Sequence, residues 1–279
     1  MASNAPMTRY RNEFIAEFEQ HQSMLRATVT TEHMLDGNVA TFLVAGSGDA
    51  TPVTRGLDGR IPARDDSLTQ NSCTLVEYHD KPVRTHFNVF ESQGDARRIS
   101  MQGSTGVMNR KIDSDIINAS TGLGAATLGD STAQTASLNW FMSHLTALGE
   151  NDVNIEEQDK MFCVVTPKAW GLLMQIKEFA SGDYVELKPF NGPPRKMWRV
   201  FGVNVIQSTR LSGMGGASAT CFMYHRDAIG HAIANGHPNI SGGYNDEDAY
   251  FWTLCSGYFG TKLLQNTGVR KMLHNDNAY

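Results

Sequence analysis

No stretch of this chain approaches the roughly 20 consecutive apolar residues that a membrane-crossing helix requires. The opening MASNAPMTRYRNEF also lacks the apolar centre of a signal peptide. Cysteine is scarce and scattered. Cys73, Cys163, Cys221 and Cys255 form no CxxC pair, which argues against a zinc site and against a disulfide framework. Cys163 and Cys255 read as small core hydrophobes. An excess of positive charge is missing too: 24 Lys and Arg face 29 Asp and Glu, for a formal net charge of -5. A dedicated nucleic-acid binder should be basic. HExxH, GxSxG, GxGxxG and the EF-hand loop are all absent. The glycine-rich run from Ser212 to Ser218 lacks the lysine of a phosphate-binding loop and is not followed by a helix start.

What remains is an ordinary folded protein of 279 residues, 41% hydrophobic and 19% charged, long enough for a sizeable core. Its centre is the stretch from Met161 to Leu211. Phe162-Cys163-Val164-Val165 has the length and β-branching of a buried strand. Thr166 supplies an N-cap hydroxyl and Pro167 the first helical position. Apolar residues at Ala169, Trp170, Leu173, Ile176 and Phe179 give one helix face, ending near Gly182. After a Pro- and Gly-rich connection, Trp198 to Ile206 reads as one further strand.

Elsewhere, Met7 to Arg26 reads as a helix with an apolar stripe that includes Phe14 and Phe18, either an arm that docks elsewhere or the first helix of the core. Strands are predicted at Val39–Val44, Cys73–Tyr78, Pro82–Phe90, Cys221–His225, Ala249–Leu264 and Gly268–Leu273. A helix runs from Asp95 to Ala119, with Met101, Met108, Ile112 and Ile116 on its apolar face and Arg110, Lys111, Asp113 and Asp115 off it. A second helix, capped by Ser131 or Thr132, ends at Gly149. A short one covers Asp227 to Ala234. The polar segment from Ala45 to Ser72 is long for a loop inside a compact domain. It reads as disordered, as a solvated loop, or as an extended hairpin ordered on a neighbour, and its Arg55, Arg60 and Arg64, alternating with Asp49, Asp58, Asp65 and Asp66, suit polar contacts between subunits.

The obvious catalytic candidates are His225-Arg226-Asp227 and the acids Asp246-Glu247-Asp248. Neither has a specific spacing. His225 reads as a polar strand-end residue and the acids as a solvated turn. The prediction is therefore no catalytic residue, no metal and no cofactor.

The order of these elements, and several stretches within them, resemble the major capsid proteins of tailed bacteriophages, which share the Hong Kong 97-type fold. The stretches are Arg110 to Ile117, Phe162 to Lys168, Phe201 to Leu211, Tyr224 to Gly230, and Gly260-Thr261-Lys262 before Gly268-Val269. The resemblance implies an α+β fold with an N-terminal arm over 1–38 and an extended E-loop hairpin over 39–80. A peripheral domain would cover 81–160 with a spine helix over 95–119, and an axial domain 161–239. Residues 240–279 would be the return strand and C-terminal end. It further implies a non-enzymatic protein, assembled in the bacterial host cytoplasm into the hexamers and pentamers of an icosahedral shell around double-stranded DNA. Partners would be the chain itself, a separate scaffolding protein, a portal protein, a decoration protein and, non-specifically, the DNA; no membrane is involved. Candidate subunit contacts are Phe14, Phe18, Arg55, Asp58, Arg60, Arg64 and Asp65. No lysine lies between Val44 and Asp80, so no covalent cross-link through the hairpin is expected, and the initial Met1 argues against a removed propeptide. Two other readings are an encapsulin-like nanocompartment of the same fold and a hydrolase built on His225 and Asp227.

Overall fold

The structure is a computed structural model that describes residues 20–34, 36–47, 50–61, 63, 67–85, 96–176 and 197–278. In chain order its elements are β1 (Thr30–Met34), β2 (Val39–Gly46), β3 (Ser67–Thr74), β4 (Val76–Asp80), β5 (Val83–Thr85), α1 (Ala96–Ile117), α2 (Leu138–Gly149), β6 (Met161–Val165), α3 (Pro167–Gln175), β7 (Met197–Val200), β8 (Val203–Gln207), β9 (Ala219–His225), β10 (Ile229–Ala234), β11 (Asn239–Asn245), β12 (Tyr250–Leu263) and β13 (Val269–His274).

Two sheets carry the core. The five-stranded one has the order β13-β9-β6-β8-β7. At its centre β6 is buried at every position, as a strand covered on both faces must be. The other sheet is organised by β12, whose 14 residues pair with β10 and β11 and, along the remaining edge, with β4 and β5. Two of the passages between the sheets are short turns, at Arg226–Ala228 and Asn266–Gly268. These turns touch: a Cβ on Gly268 would lie 2.8 Å from that of Ala228, so only glycine lets the crossings run side by side.

The sheet of β10 and β12 is coated on both faces. Pleating sends His231, Ile233, Phe259 and Thr261 one way. There α1 lies, with Met108, Ile112 and Ile116 buried as its periodicity predicts. Each such side chain contributes about 1.5–3 kcal/mol on burial. The predicted fourth member, Met101, stays 39% exposed. The opposite face carries Gly230, Ala232 and Gly260, which form a shallow seat for the root of the β2–β3 hairpin. Phe42 lies over Gly230, and Thr74 and Cys73 press on Gly260.

Several elements differ from the sequence-based expectation. The predicted strand Trp198–Ile206 is a hairpin, because Phe201 and Gly202 both take positive φ (49° and 78°) and turn the chain between β7 and β8. The helix expected over Asp227–Ala234 is a short turn followed by β10, since pairing with β1 on one side and β12 on the other overrides local propensity. The cap of α2 is Ser137, not Ser131 or Thr132. The segment before it stays extended against β13, with bridges at Gly129 and Gln134. The strand Cys73–Tyr78 breaks at Leu75, whose N–H donates to the Asn38 carbonyl, so β3 and β4 join different sheets. Of the N-terminal helix, the described part from Gln20 is irregular up to a single turn at Arg26–Thr28. The helix after Thr166 is correctly capped, its hydroxyl accepting from Ala169, but it ends at Gln175. Strands β1 and β11 carry no sequence signal strong enough to predict.

Asp113 and Asp115, expected on the solvent side of α1, are buried. Two neighbours cover that side. Asp113 accepts hydrogen bonds from the Met24 and Leu25 N–H groups (3.0 and 3.1 Å), from the Ser23 hydroxyl and from the Gln20 amide. Asp115 accepts from the Thr261 hydroxyl at 2.8 Å. Burial holds the Asp115 carboxyl above its usual range, partly offset by Thr261 and Lys111.

Candidate assembly surfaces

Among the described residues, the hairpin of β2 and β3 is poorly covered by the protein's own core. Eight residue pairs zip it from Val39↔Thr74 to Gly46↔Ser67. Alternation divides its side chains. Ala40, Phe42 and Cys73 turn toward the seat on β10 and β12, where Ala40 and Cys73 are buried with Ala232. Val39, Leu43 and Leu68 fall on the other face, and no part of the described chain covers them: Leu43 is 75% exposed and Leu68 72%. Beyond the strands, Val53, Leu57 and Ile61 are exposed as well. An apolar face of this kind on a folded protein marks an interaction surface. The sequence does carry its signal, since Val39 and Leu43 alternate with the inward residues of β2.

Of the residues predicted to make subunit contacts, Arg55, Asp58 and Arg60 lie in this exposed connection. A turn holds them: the Gly56 N–H donates to the Arg60 carbonyl at 3.0 Å, and the Gly59 N–H to that of Gly56 at 2.9 Å. Their charges form no ion pair among the described residues. Phe14, Phe18, Arg64 and Asp65 lie outside the described residues, as do Asp49 and Asp66.

The catalytic candidates resolve into structural roles. The Asp227 N–H donates to His225 Nδ1 at 3.3 Å, so Nδ1 is an acceptor and cannot present a proton to the Asp227 carboxylate 3.8 Å away. That carboxylate is already taken by Lys160 Nζ (3.2 Å) and the Thr30 hydroxyl (3.1 Å). Burial alone would push Asp227 up, but these hydrogen bonds and the Lys160 charge bring it below its ordinary value. Burial lowers His225 as well. The group pins the β9–β10 crossing to the turn before β6. The acids Asp246 to Asp248 sit in an exposed turn where Asn245 Nδ2 donates to Asp248 and the Glu247 N–H to Asn245 Oδ1. All four cysteines are free and buried. Among the described residues no cluster of His, Cys, Asp and Glu could hold a metal ion, and no helix is long and apolar enough to cross a membrane.

A projecting hairpin with an uncovered apolar face, and histidines and acids consumed in folding, describe a building block. The family model for phage capsid protein matches residues 2–274. The chain belongs to the phage capsid protein family. Solved structures agree in fold across the whole length. A chain from Mycobacterium phage Che8 is 13% identical, with a TM-score of 0.73 and 99% of each chain covered. The capsid of Ralstonia phage GP4 is 12% identical, with a TM-score of 0.70 over 99% of this chain and 97% of that one. The capsid of Myoviridae phage XM1 is 13% identical, with a TM-score of 0.67 over 98% and 100%. No curated protein matches in sequence. The fold is the Hong Kong 97 type, and the protein is a major capsid protein: a structural, non-enzymatic component of the virion that self-assembles into a shell of capsomers.

Proposed function

We propose that this capsid protein forms the hexamers and pentamers of an icosahedral shell around double-stranded DNA, with residues 39–80 as an E-loop lying over the neighbouring subunit. The observation that carries this reading is the outer face of the β2–β3 hairpin, where Leu43 and Leu68 stand 75% and 72% exposed. Residues 1–38 are the N-terminal arm. The five-stranded sheet with α3 is the axial domain. Helix α1 is the spine of the peripheral domain, together with the sheet built on β12. Pairing of β10 with β12 supports ending the axial domain near Ala228 rather than at Asn239. Contacts in such rings are heterologous, joining different patches of successive copies. Assembly takes place in the bacterial host cytoplasm with a separate scaffolding protein. A portal protein occupies one vertex, a decoration protein binds outside, and the net charge of -5 keeps the grip on DNA loose.

The test is electron microscopy of recombinant protein, alone and co-expressed with its neighbouring genes, against Leu43→Asp/Leu68→Asp. Covering the two leucines is worth about 1.5–3 kcal/mol each, so the double variant should melt like the parent yet form no shells. Shells of normal size and yield from the variant would overturn the hairpin's role. A parent that stays monomeric under every condition would overturn the shell itself.

A further inference from the structure

The C-terminal end of α1 reaches one side of the five-stranded sheet, while α2 packs beside β13, where the Ala147 carbonyl accepts from Arg270. On the α1 side, where the C-terminal end of α1 meets β9 and β13, there is a recess of about 230 Å³. Its polar lining is Arg210, Lys271, Ser114, Asn118, Ser212 and Thr220, with no acidic residue among them. Among the described residues neither the Arg210 guanidinium nor the Lys271 ammonium has an ion pair or hydrogen bond. The hydroxyls of Ser114, Ser212 and Thr220 are likewise unspent, and Thr220 is only 8% exposed. Asn118 uses its Oδ1 for the Ser120 N–H, leaving its amide donors free. Two cations and several donors that the fold does not use gather around one concavity, which Ile117 and Phe222 also line, and this is the chemistry that receives an oxyanion.

The chain also carries matching anions. Glu150, Asp152 and Glu156, in the turns that follow α2, are exposed and form no ion pair among the described residues. Those turns feed β6 at Met161, which pairs with His225 at the end of β9. The recess is at the opposite end, around Thr220. Five residues of β9, roughly 17 Å of strand, run between these two ends. A molecule with an anion socket at one end of a sheet and free carboxylates at the other cannot satisfy itself, but a row of copies placed head to tail can. A recess of this size also takes a single side chain more readily than a duplex, whose regularly spaced phosphates call for a basic stripe.

We infer that the Arg210–Lys271 recess is an inter-subunit socket that receives a carboxylate from the Glu150–Glu156 turns of an adjacent copy. This rests on the ring assembly proposed above and adds a specific charged contact to it. The test is a charge swap in the full chain. Arg210→Glu/Lys271→Glu should lower the yield of shells at least tenfold while the unassembled protein melts as before. Adding Glu150→Lys, Asp152→Lys and Glu156→Lys to the same chain should restore the yield to within about threefold. Because reversal could harm folding, a cysteine pair provides a second reading. Ser212→Cys/Glu156→Cys should give a ladder of disulfide-linked chains in oxidised shells, against a clean background since the native cysteines are buried.

Normal assembly of the reversed recess, additive rather than compensating defects, or no ladder from intact shells would each overturn the inference. So would a reversed recess that assembles normally but no longer binds a 30-base-pair duplex in fluorescence anisotropy, which would assign the recess to nucleic-acid phosphate. If the parent chain itself forms no shells, the ring reading fails instead, and the two failures are thereby distinguished.

Discussion

Removing the Asp113 carboxylate should detach the segment from Gln20 to Leu25 from helix α1. Asp113 is 1% exposed and is the common acceptor for two backbone N–H groups, a serine hydroxyl and a glutamine amide. In Asp113→Ala the buried Leu25 N–H has no alternative partner, at a cost of about 1–3 kcal/mol. Met24, Ser23 and Gln20 are closer to solvent and can recover bonds to water, so each loses only about 0.5–1.5 kcal/mol. Relief from burying a charge offsets part of this. The net loss should be about 3 kcal/mol, which for a chain of this size lowers Tm by roughly 6–12 °C. Asp113→Asn keeps one acceptor oxygen but turns an amide donor toward a donor, and should lose about half as much. Circular dichroism melting of unassembled protein gives the first number. Limited proteolysis gives a second, since new cleavage should appear around 20–29. A melting temperature within 2 °C of the parent, with the segment still protected, would refute the view that one carboxylate holds this segment to α1.

Two further effects should be measurable. Burial, helped by the Arg26 charge, holds His231 at about 4. The folded state therefore resists protonating it, and stability that is complete above the ordinary value of 6.5 should fall as pH drops from there to about 4, by about 3 kcal/mol in all. Asp115, raised by burial, works in the opposite sense, so the informative comparison is His231→Gln in the same buffers; urea midpoints that fall equally in both proteins would exclude His231 as the cause. Gly260→Ala would place a Cβ 2.5 Å from the Thr74 carbonyl oxygen and 3.0 Å from Cys73 Sγ; lifting the hairpin root from its seat should cost about 1–3 kcal/mol, and unchanged thermal stability and protease resistance at Thr74 would show that the seat adapts.

Elements governed by local chemistry were legible in the sequence. The buried run of β6, the Thr166-Pro167 start of α3 and the apolar face of α1 depend on neighbours one turn or one residue away, so their patterns survive without the fold. The hairpin proposed to act in assembly was legible in another way. The segment from Ala45 to Ser72 holds too little apolar sequence for a core and is too long for a simple loop, and the structure makes its flanks a hairpin that leaves Leu43 and Leu68 bare. Tertiary structure alone decided the rest. Strand β10 reads as a helix until β1 and β12 claim its backbone on both sides. Asp113 and Asp115 look like solvent residues until a distant segment and a distant strand, Gln20–Leu25 and β12, close over them. Whether Arg210, Lys271 and Thr220 share one recess depends on two strands, the connection before β9 and the end of α1 meeting from separate parts of the chain. Local pattern specifies what a segment can be; burial and pairing between remote segments select which of those states is lowest in free energy.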